Sequence, residues 1–224
     1  MALILNIETS TTMCSVGIAE NGVPVSIKEI NSGYTHAENL HVYINDLLVQ
    51  EKILPSQLDA IAVGSGPGSY TGLRIGVSAA KGLAYAIHKP LIAVNSLQTL
   101  SVAAVELYGD KYNYCPMLDA RRMEVYCAII DSDYSFVKET TAHIVTEGSL
   151  PFFSSDKPLC FFGDGMLKCK SILENIKGSV FIENVFPSAG LMSGLSHQKY
   201  LKGQTEDVAY YEPYYLKDFL IGPK

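Results

Sequence analysis

At 224 residues, 48% of them hydrophobic, the chain is long enough to bury a core of its own, as one large domain or two small ones. A formal net charge of −6 argues against a stand-alone nucleic-acid binder, which carries a basic surface. The five cysteines are odd in number and lack C-x-x-C spacing, so they read as reduced, buried thiols of a cytoplasmic protein, neither zinc ligands nor disulfides.

The opening segment MALILNIETS passes straight into a strand without a basic leader, and no apolar run approaches the ~20 residues that cross a bilayer; a soluble chain with no membrane contact is expected. Leu3 to Ile7 is an apolar strand that ends in the hydroxyl-rich turn Glu8-Thr9-Ser10-Thr11-Thr12. Met13 to Ala19 and Val23 to Ile30 follow as strands joined by Asn21-Gly22, a two-residue hairpin signal. Thr35-His36-Ala37-Glu38 fits a capping box, opening a helix to about Lys52 with Leu40, Ile44, Leu47 and Leu48 on one face. Asp59 to Ser65 is a buried strand, Pro90 to Val94 another, and Ser96 is placed to cap a third helix running to about Leu107.

Between those two strands lies the stretch that organises the chain, AIAVGSGPGSYTGLRIGVSAAKGLAYAI over residues 60–87. A strand, a loop with Gly64, Gly66, Pro67 and Gly68, and a helix capped by Ser69 make an anion-cradling arrangement, with Arg74 the sole cation in the first turns of the helix. Gly72, Gly76 and Gly82 inside that helix each cost about 1 kcal/mol relative to Ala, so a close neighbour, backbone or ligand, is expected against them. The spacing fits neither the P-loop, since no Lys follows until Lys81, nor the dinucleotide fingerprint, whose third glycine is Ser69 here. The candidate phosphate loop is therefore Thr9, Ser10, Gly66, Gly68, Ser69, Gly72 and Arg74.

Beyond the polar break at Tyr108-Gly109-Asp110-Lys111 the pattern weakens and restarts. Tyr114 to Asp119, Glu124 to Asp131, Tyr134 to Lys138 and Leu159 to Phe162 read as strands; Met166 to Ile176 and Ser188 to Tyr200 read as helices. Two subdomains follow, 1–107 and 108–224, with the last helix and the aromatic tail free to pack back on the first. Asp119, Arg121 and Arg122 sit at a strand end, where the two guanidiniums can hold a phosphate or pair with Asp119 and Glu124 across a hairpin. Asp164, between Gly163 and Gly165, is a second candidate phosphate turn of low specificity. His36 and His41, five apart on a helix, point about 140° away from each other, unlike the four-apart pair that shares a metal; they read as ordinary histidines of a surface helix, and no metal site is expected.

The order β-β-β-α-β-α-β-α, with Glu8-Thr9-Ser10, His36-Ala37-Glu38, Gly66-Pro67-Gly68-Ser69-Tyr70-Thr71-Gly72-Leu73-Arg74-Ile75-Gly76, Asp119-Ala120-Arg121-Arg122-Met123-Glu124-Val125-Tyr126 and Pro213-Tyr214-Tyr215-Leu216, resembles the bacterial TsaB (YeaZ) family. The resemblance runs from Leu3 to Leu216, with Glu8 standing where the family usually has Asp. It implies an actin-like (ribonuclease H-like) α/β fold whose second subdomain is degenerate. It also implies a non-catalytic partner of the TsaD-type transferase that makes threonylcarbamoyladenosine in tRNA, joined by a TsaE-type ATPase. The four-apart histidine pair belongs to that transferase and is missing here. The expected partner face comprises His36, Glu38, Val42, Tyr43, Val49 and Gly76, shared by a homodimer when the chain is alone. No cofactor is required, nucleotide binding is expected to be weak at most, and tRNA is met only through the complex. An ATP-dependent phosphotransferase using Glu8, Asp119 and Asp164, or a peptidase, are the alternatives.

Overall fold

The computed structural model describes residues 1–33 and 35–216. Its first sheet is built from β1 (Leu3–Glu8), β2 (Met13–Glu20), β3 (Val23–Asn31), β4 (Ala60–Gly66) and β5 (Leu91–Asn95), in the order β3-β2-β1-β4-β5. The β1–β2 and β2–β3 pairs are antiparallel, while β1–β4 and β4–β5 are parallel. Asn21 and Gly22, both at positive φ, make the expected hairpin turn.

Strand alternation divides the apolar residues between the two faces of this sheet. On one face Leu5, Ile7, Val16, Ile61 and Val63 meet α1 (His36–Gln50) and α2 (Tyr70–Ile87) through Leu40, Ile44, Leu47, Val77, Ala80 and Ala84. On the other face Ile4, Ala60, Ala62, Ile92 and Val94 meet Met192 and Leu195 of α5 (Ala189–Leu201).

The second sheet repeats this plan. β6 (Asn113–Asp119), β7 (Glu124–Ile130), β8 (Phe136–Ile144), β9 (Leu159–Phe162) and β10 (Val180–Ile182) run in the order β10-β9-β6-β7-β8, three antiparallel strands followed by two parallel ones. α3 (Ser96–Tyr108) follows the first sheet in sequence but packs Leu97, Leu100 and Ala104 on Tyr114, Leu118, Ala128 and Phe162 of the second. α5 follows the second sheet and packs on the first, so the two helices lie between the sheets, each against the other's strands. This is the actin-like α/β fold. What degenerates in the second half is its outer helices: a 3-10 turn over Glu147–Phe153 stands where α1 should be. A second 3-10 turn (Leu167–Cys169) with the four-residue α4 (Lys170–Leu173) replaces α2.

Several local expectations are corrected. The capping box at Thr35 does not form, since the Thr35 side chain makes no cap hydrogen bond. α3 is capped by Asn95, whose Oδ1 accepts from the amides of Leu97 and Gln98 at 2.8 and 3.3 Å, which leaves Ser96 free for another role. Met166 to Ile176 is not one helix, β8 runs six residues further than expected, and the half-buried β10 has no counterpart in the sequence reading. Ser69 and Ser188 cap α2 and α5 as expected, accepting from Gly72 N at 3.3 Å and Leu191 N at 3.4 Å. All five cysteines are buried and unpaired by disulfides.

Candidate functional site

The turn between β1 and β2 and the first turns of α2 lie against each other, and several of their polar groups are committed to one another. The Thr9 hydroxyl donates to the Gly72 carbonyl at 2.8 Å, and the Ser69 amide donates to the Ser10 carbonyl at 2.7 Å. The Gly72 amide is taken by the Ser69 hydroxyl and the Leu73 amide by the Ser69 carbonyl. A helix N-terminus binds an anion through free N–H groups, and two of those at this end, the Ser69 and Gly72 amides, have internal acceptors.

The glycines explain themselves in the same contact. A β-carbon on Gly68 would enter the Ser10 backbone, one on Gly72 the Thr9 carbonyl, and one on Gly76 the Thr9 hydroxyl. Spaced four apart, Gly72 and Gly76 present one smooth face of the helix to the turn. The close neighbour expected of them is thus the chain's own Thr9, its backbone at Gly72 and its side chain at Gly76. Gly82, by contrast, is exposed with nothing against it.

Glu8 reaches the opposite way, under the turn. Its side chain is fully buried; Oε1 accepts from the Ser10 amide at 2.8 Å and Oε2 from the Ser96 hydroxyl at 3.0 Å. The carboxylate occupies the space a β-carbon would need at Gly64, so Gly64 and Glu8 form a matched pair. Burial raises the Glu8 pKa from its usual 4.5, and the hydrogen bonds from Ser10, Ser96 and Thr9 only partly offset this. The longer side chain in place of Asp therefore stitches β1 to the start of α3 and points at no solvent-filled space.

His36 is not a surface histidine. It is buried at the start of α1, its Nε2 2.8 Å from the Thr11 carbonyl, and its ring also flanks Gly72. Burial lowers its pKa, with the Thr11 contact acting the other way. His41 is exposed on another side of the helix. Among the described residues no group of three or more His, Cys, Asp or Glu side chains is arranged to hold a metal.

Arg74 does not face the turn. Its guanidinium lies 4.2 Å from the Tyr70 ring centroid, and its Nε donates to the Tyr215 hydroxyl at 3.3 Å. In the second sheet Asp119 is ion-paired with Lys168, not with either arginine, and its carboxylate also accepts from the Arg121 amide at 2.7 Å. Arg121 and Arg122 are exposed at positive φ in the β6–β7 turn. Asp164 Oδ1 accepts from the Asp119 amide at 3.0 Å; burial, then the neighbouring Asp119, raises its pKa.

The six positions expected on a partner face separate into two sets. Val42 (52% exposed), Val49 (68%) and Glu38 lie on the outer side of α1, and Tyr43 is half-buried at its edge. His36 and Gly76 are buried within the chain and cannot belong to an exposed face. Sequence reasoning missed Tyr85 on the outer side of α2, 75% exposed; its signal was a large apolar residue off the buried stripe of Leu73, Val77, Ala80 and Ala84.

A family model described as TsaD, tRNA N6-adenosine threonylcarbamoyltransferase, matches residues 31–211. The chain is 30% identical over 225 residues to the tRNA threonylcarbamoyladenosine biosynthesis protein TsaB of Haemophilus influenzae, covering 96% of this chain and 93% of that one. The chain belongs to the TsaB family. A second TsaB, from Escherichia coli, is 29% identical over 226 residues, 96% of this chain and 94% of its own. The solved structure of YeaZ from Pseudomonas aeruginosa superposes with a TM-score of 0.83 at 25% identity, over 96% of this chain and all of that one. Likeness to the TsaB relatives thus runs over nearly the whole length of both chains.

Proposed function

We propose that this chain is the non-catalytic partner subunit of a TsaD-type transferase, needed for making threonylcarbamoyladenosine next to the anticodon of tRNA. The observation that carries the reading is the closed turn. The Glu8 carboxylate, the Thr9 hydroxyl and the Ser10 and Ser69 amides are spent on internal partners, where an active centre would present such groups to substrate. The full-length likeness to proteins named for threonylcarbamoyladenosine biosynthesis supplies the pathway. The transferase docks on the outer side of α1 and α2, where Val42, Val49 and Tyr85 leave apolar surface in water. The same face pairs two copies of this chain when the transferase is absent.

A TsaE-type ATPase joins the complex, tRNA is met only through it, and the assembly is cytoplasmic. The chain itself binds nucleotide weakly at most, since the Ser69 and Gly72 amides at the α2 terminus already have internal acceptors and Arg74 is turned to Tyr70 and Tyr215. The phosphotransferase reading lacks its first metal-holding carboxylate, because Glu8 is buried on Ser10 and Ser96. A histidine-dependent peptidase finds no support in His36 or His143, since His36 contacts the Thr11 carbonyl and His143 is stacked on Phe152.

Size-exclusion chromatography of the chain with and without the transferase tests the proposal, together with an ATPase assay on the chain alone. Formation of a one-to-one complex and no turnover by the isolated chain are expected. Robust ATP hydrolysis by the chain alone would reject the non-catalytic role.

A further inference from the structure

The segment after α5 runs back over the first sheet and walls a cleft of about 650 Å³ between the two sheets. Ala93 and Asn95 at the end of β5, Gln98 of α3, Phe136 of β8 and Lys199 of α5 form the rest of that wall. The segment is held in two different ways along its length. From Glu206 to Tyr211 the anchors are several and include two residues packed on the core. The Glu206 amide donates to the Leu91 carbonyl at 2.8 Å, Lys81 Nζ donates to the carbonyls of Ala209 and Tyr211 at 3.2 and 2.8 Å, and Val208 and Tyr211 pack on the first core.

From Glu212 to Tyr215 the attachment is superficial. The Tyr214 amide donates to the Ser65 carbonyl at 2.8 Å, and Tyr215 rests on the first turn of α2, its ring 5.0 Å from Tyr70 and its hydroxyl bonded to Arg74. Arg74 is exposed, and a cation over a ring at an exposed site is a weak tie.

We infer that Glu212–Tyr215 is a latch across this cleft, hinged after Tyr211 and held shut by the Tyr70–Arg74–Tyr215 cluster. With the latch shut, the Tyr214 carbonyl lies 3.3 Å from where a β-carbon of Gly66 would be, covering the end of β4. Opened, it uncovers Ser65 and Gly66, at the carboxyl ends of the parallel strands where α/β sheets receive ligands. A carboxylate that pairs with the Arg74 guanidinium in bidentate fashion competes with the Tyr215 hydroxyl and the Tyr70 ring, and a docking partner that brings one to this end of α2 opens the latch.

Amide hydrogen exchange of the full chain, resolved at Tyr214 by NMR, tests the latch without any partner. Arg74→Ala and Tyr215→Ala should each speed exchange of the Tyr214 amide about two- to fivefold, with Tyr215→Phe, which keeps the ring and loses only the hydroxyl, in between. The amides of Tyr211 and Glu206 should keep their wild-type rates. Unchanged exchange at Tyr214 in both alanine variants overturns the latch. Equal acceleration from Glu206 through Tyr214 overturns the hinge, because the whole segment would then open as one unit.

Discussion

One helix carries three glycines whose substitution has opposite consequences. Gly72 and Gly76 touch the Thr9 backbone and hydroxyl, so Gly72→Val or Gly76→Val overfills a closed contact and should lower stability by about 1–3 kcal/mol in denaturant titration. Gly82 has open space beside it and ordinary helical backbone, so Gly82→Ala should raise stability by about 0.5–1 kcal/mol. Sequence alone showed that α2 bears an expensive small-residue surface. It could not show that only part of the surface is used, because the contacting residue, Thr9, lies 63 positions from Gly72. Glu8 permits a pH prediction. Its folded-state pKa is raised, so the native state holds the proton more tightly than the unfolded chain. The group costs nothing below the unfolded value near 4.5, and its penalty grows as pH rises through the folded value. Glu8→Gln keeps an oxygen for the Ser10 amide and offers an NH2 to the Ser96 hydroxyl, which can turn to accept. The melting temperature of the variant minus that of wild type should therefore rise from pH 4.5 to pH 8. A difference that stays flat or falls over that range would show that Glu8 is stabilised as the anion.

Strands and helices of the first half were legible because alternation, helical periodicity and glycine punctuation agreed with one another. The second half was harder to read for a physical reason. A 3-10 turn over Glu147–Phe153, the four-residue α4 and the three-residue β10 are too short to display a period, and tertiary packing places them. His36 was misread because a polar residue at a helix start normally faces water; its burial depends on the Thr11 carbonyl, which belongs to a turn 25 residues earlier. The apolar outer side of α1 was legible, since Val42 and Val49 fall off the stripe that Leu40, Ile44, Leu47 and Leu48 bury. Both valines are exposed, so Val42→Glu with Val49→Glu should leave stability within about 0.5 kcal/mol. On the proposed docking face, however, each would bury an unpaired carboxylate. Analytical ultracentrifugation should then find the double variant folded and monomeric, and unable to join the transferase. Intact complexes in a folded double variant would place the interface on another surface.

The two sheets share one strand plan, yet no sequence repeat announces it, since the plan is carried by which face each residue takes and not by residue identity. Exchange of α3 and α5 between the sheets, with Asn95 Nδ2 bonded to Thr140 Oγ1 at 3.2 Å and Gln98 Nε2 to the Tyr134 carbonyl at 2.8 Å, ties the halves together. Packing of the β1–β2 turn on α2 engages the Ser69 and Gly72 amides of the loop that the glycine motif marked. Such a molecule is suited to presenting a fixed surface, and its activity should appear only in company. The most direct measurement is a reconstituted tRNA modification assay with the TsaD-type transferase, the TsaE-type ATPase and the remaining substrates supplied. Threonylcarbamoyladenosine should form when this chain is added, fall at least tenfold when it is omitted or replaced by the Val42→Glu, Val49→Glu variant, and persist with Glu8→Gln. Full modification without the chain, or loss of modification in a folded Glu8→Gln variant that still binds the transferase, would contradict the account of a non-catalytic partner.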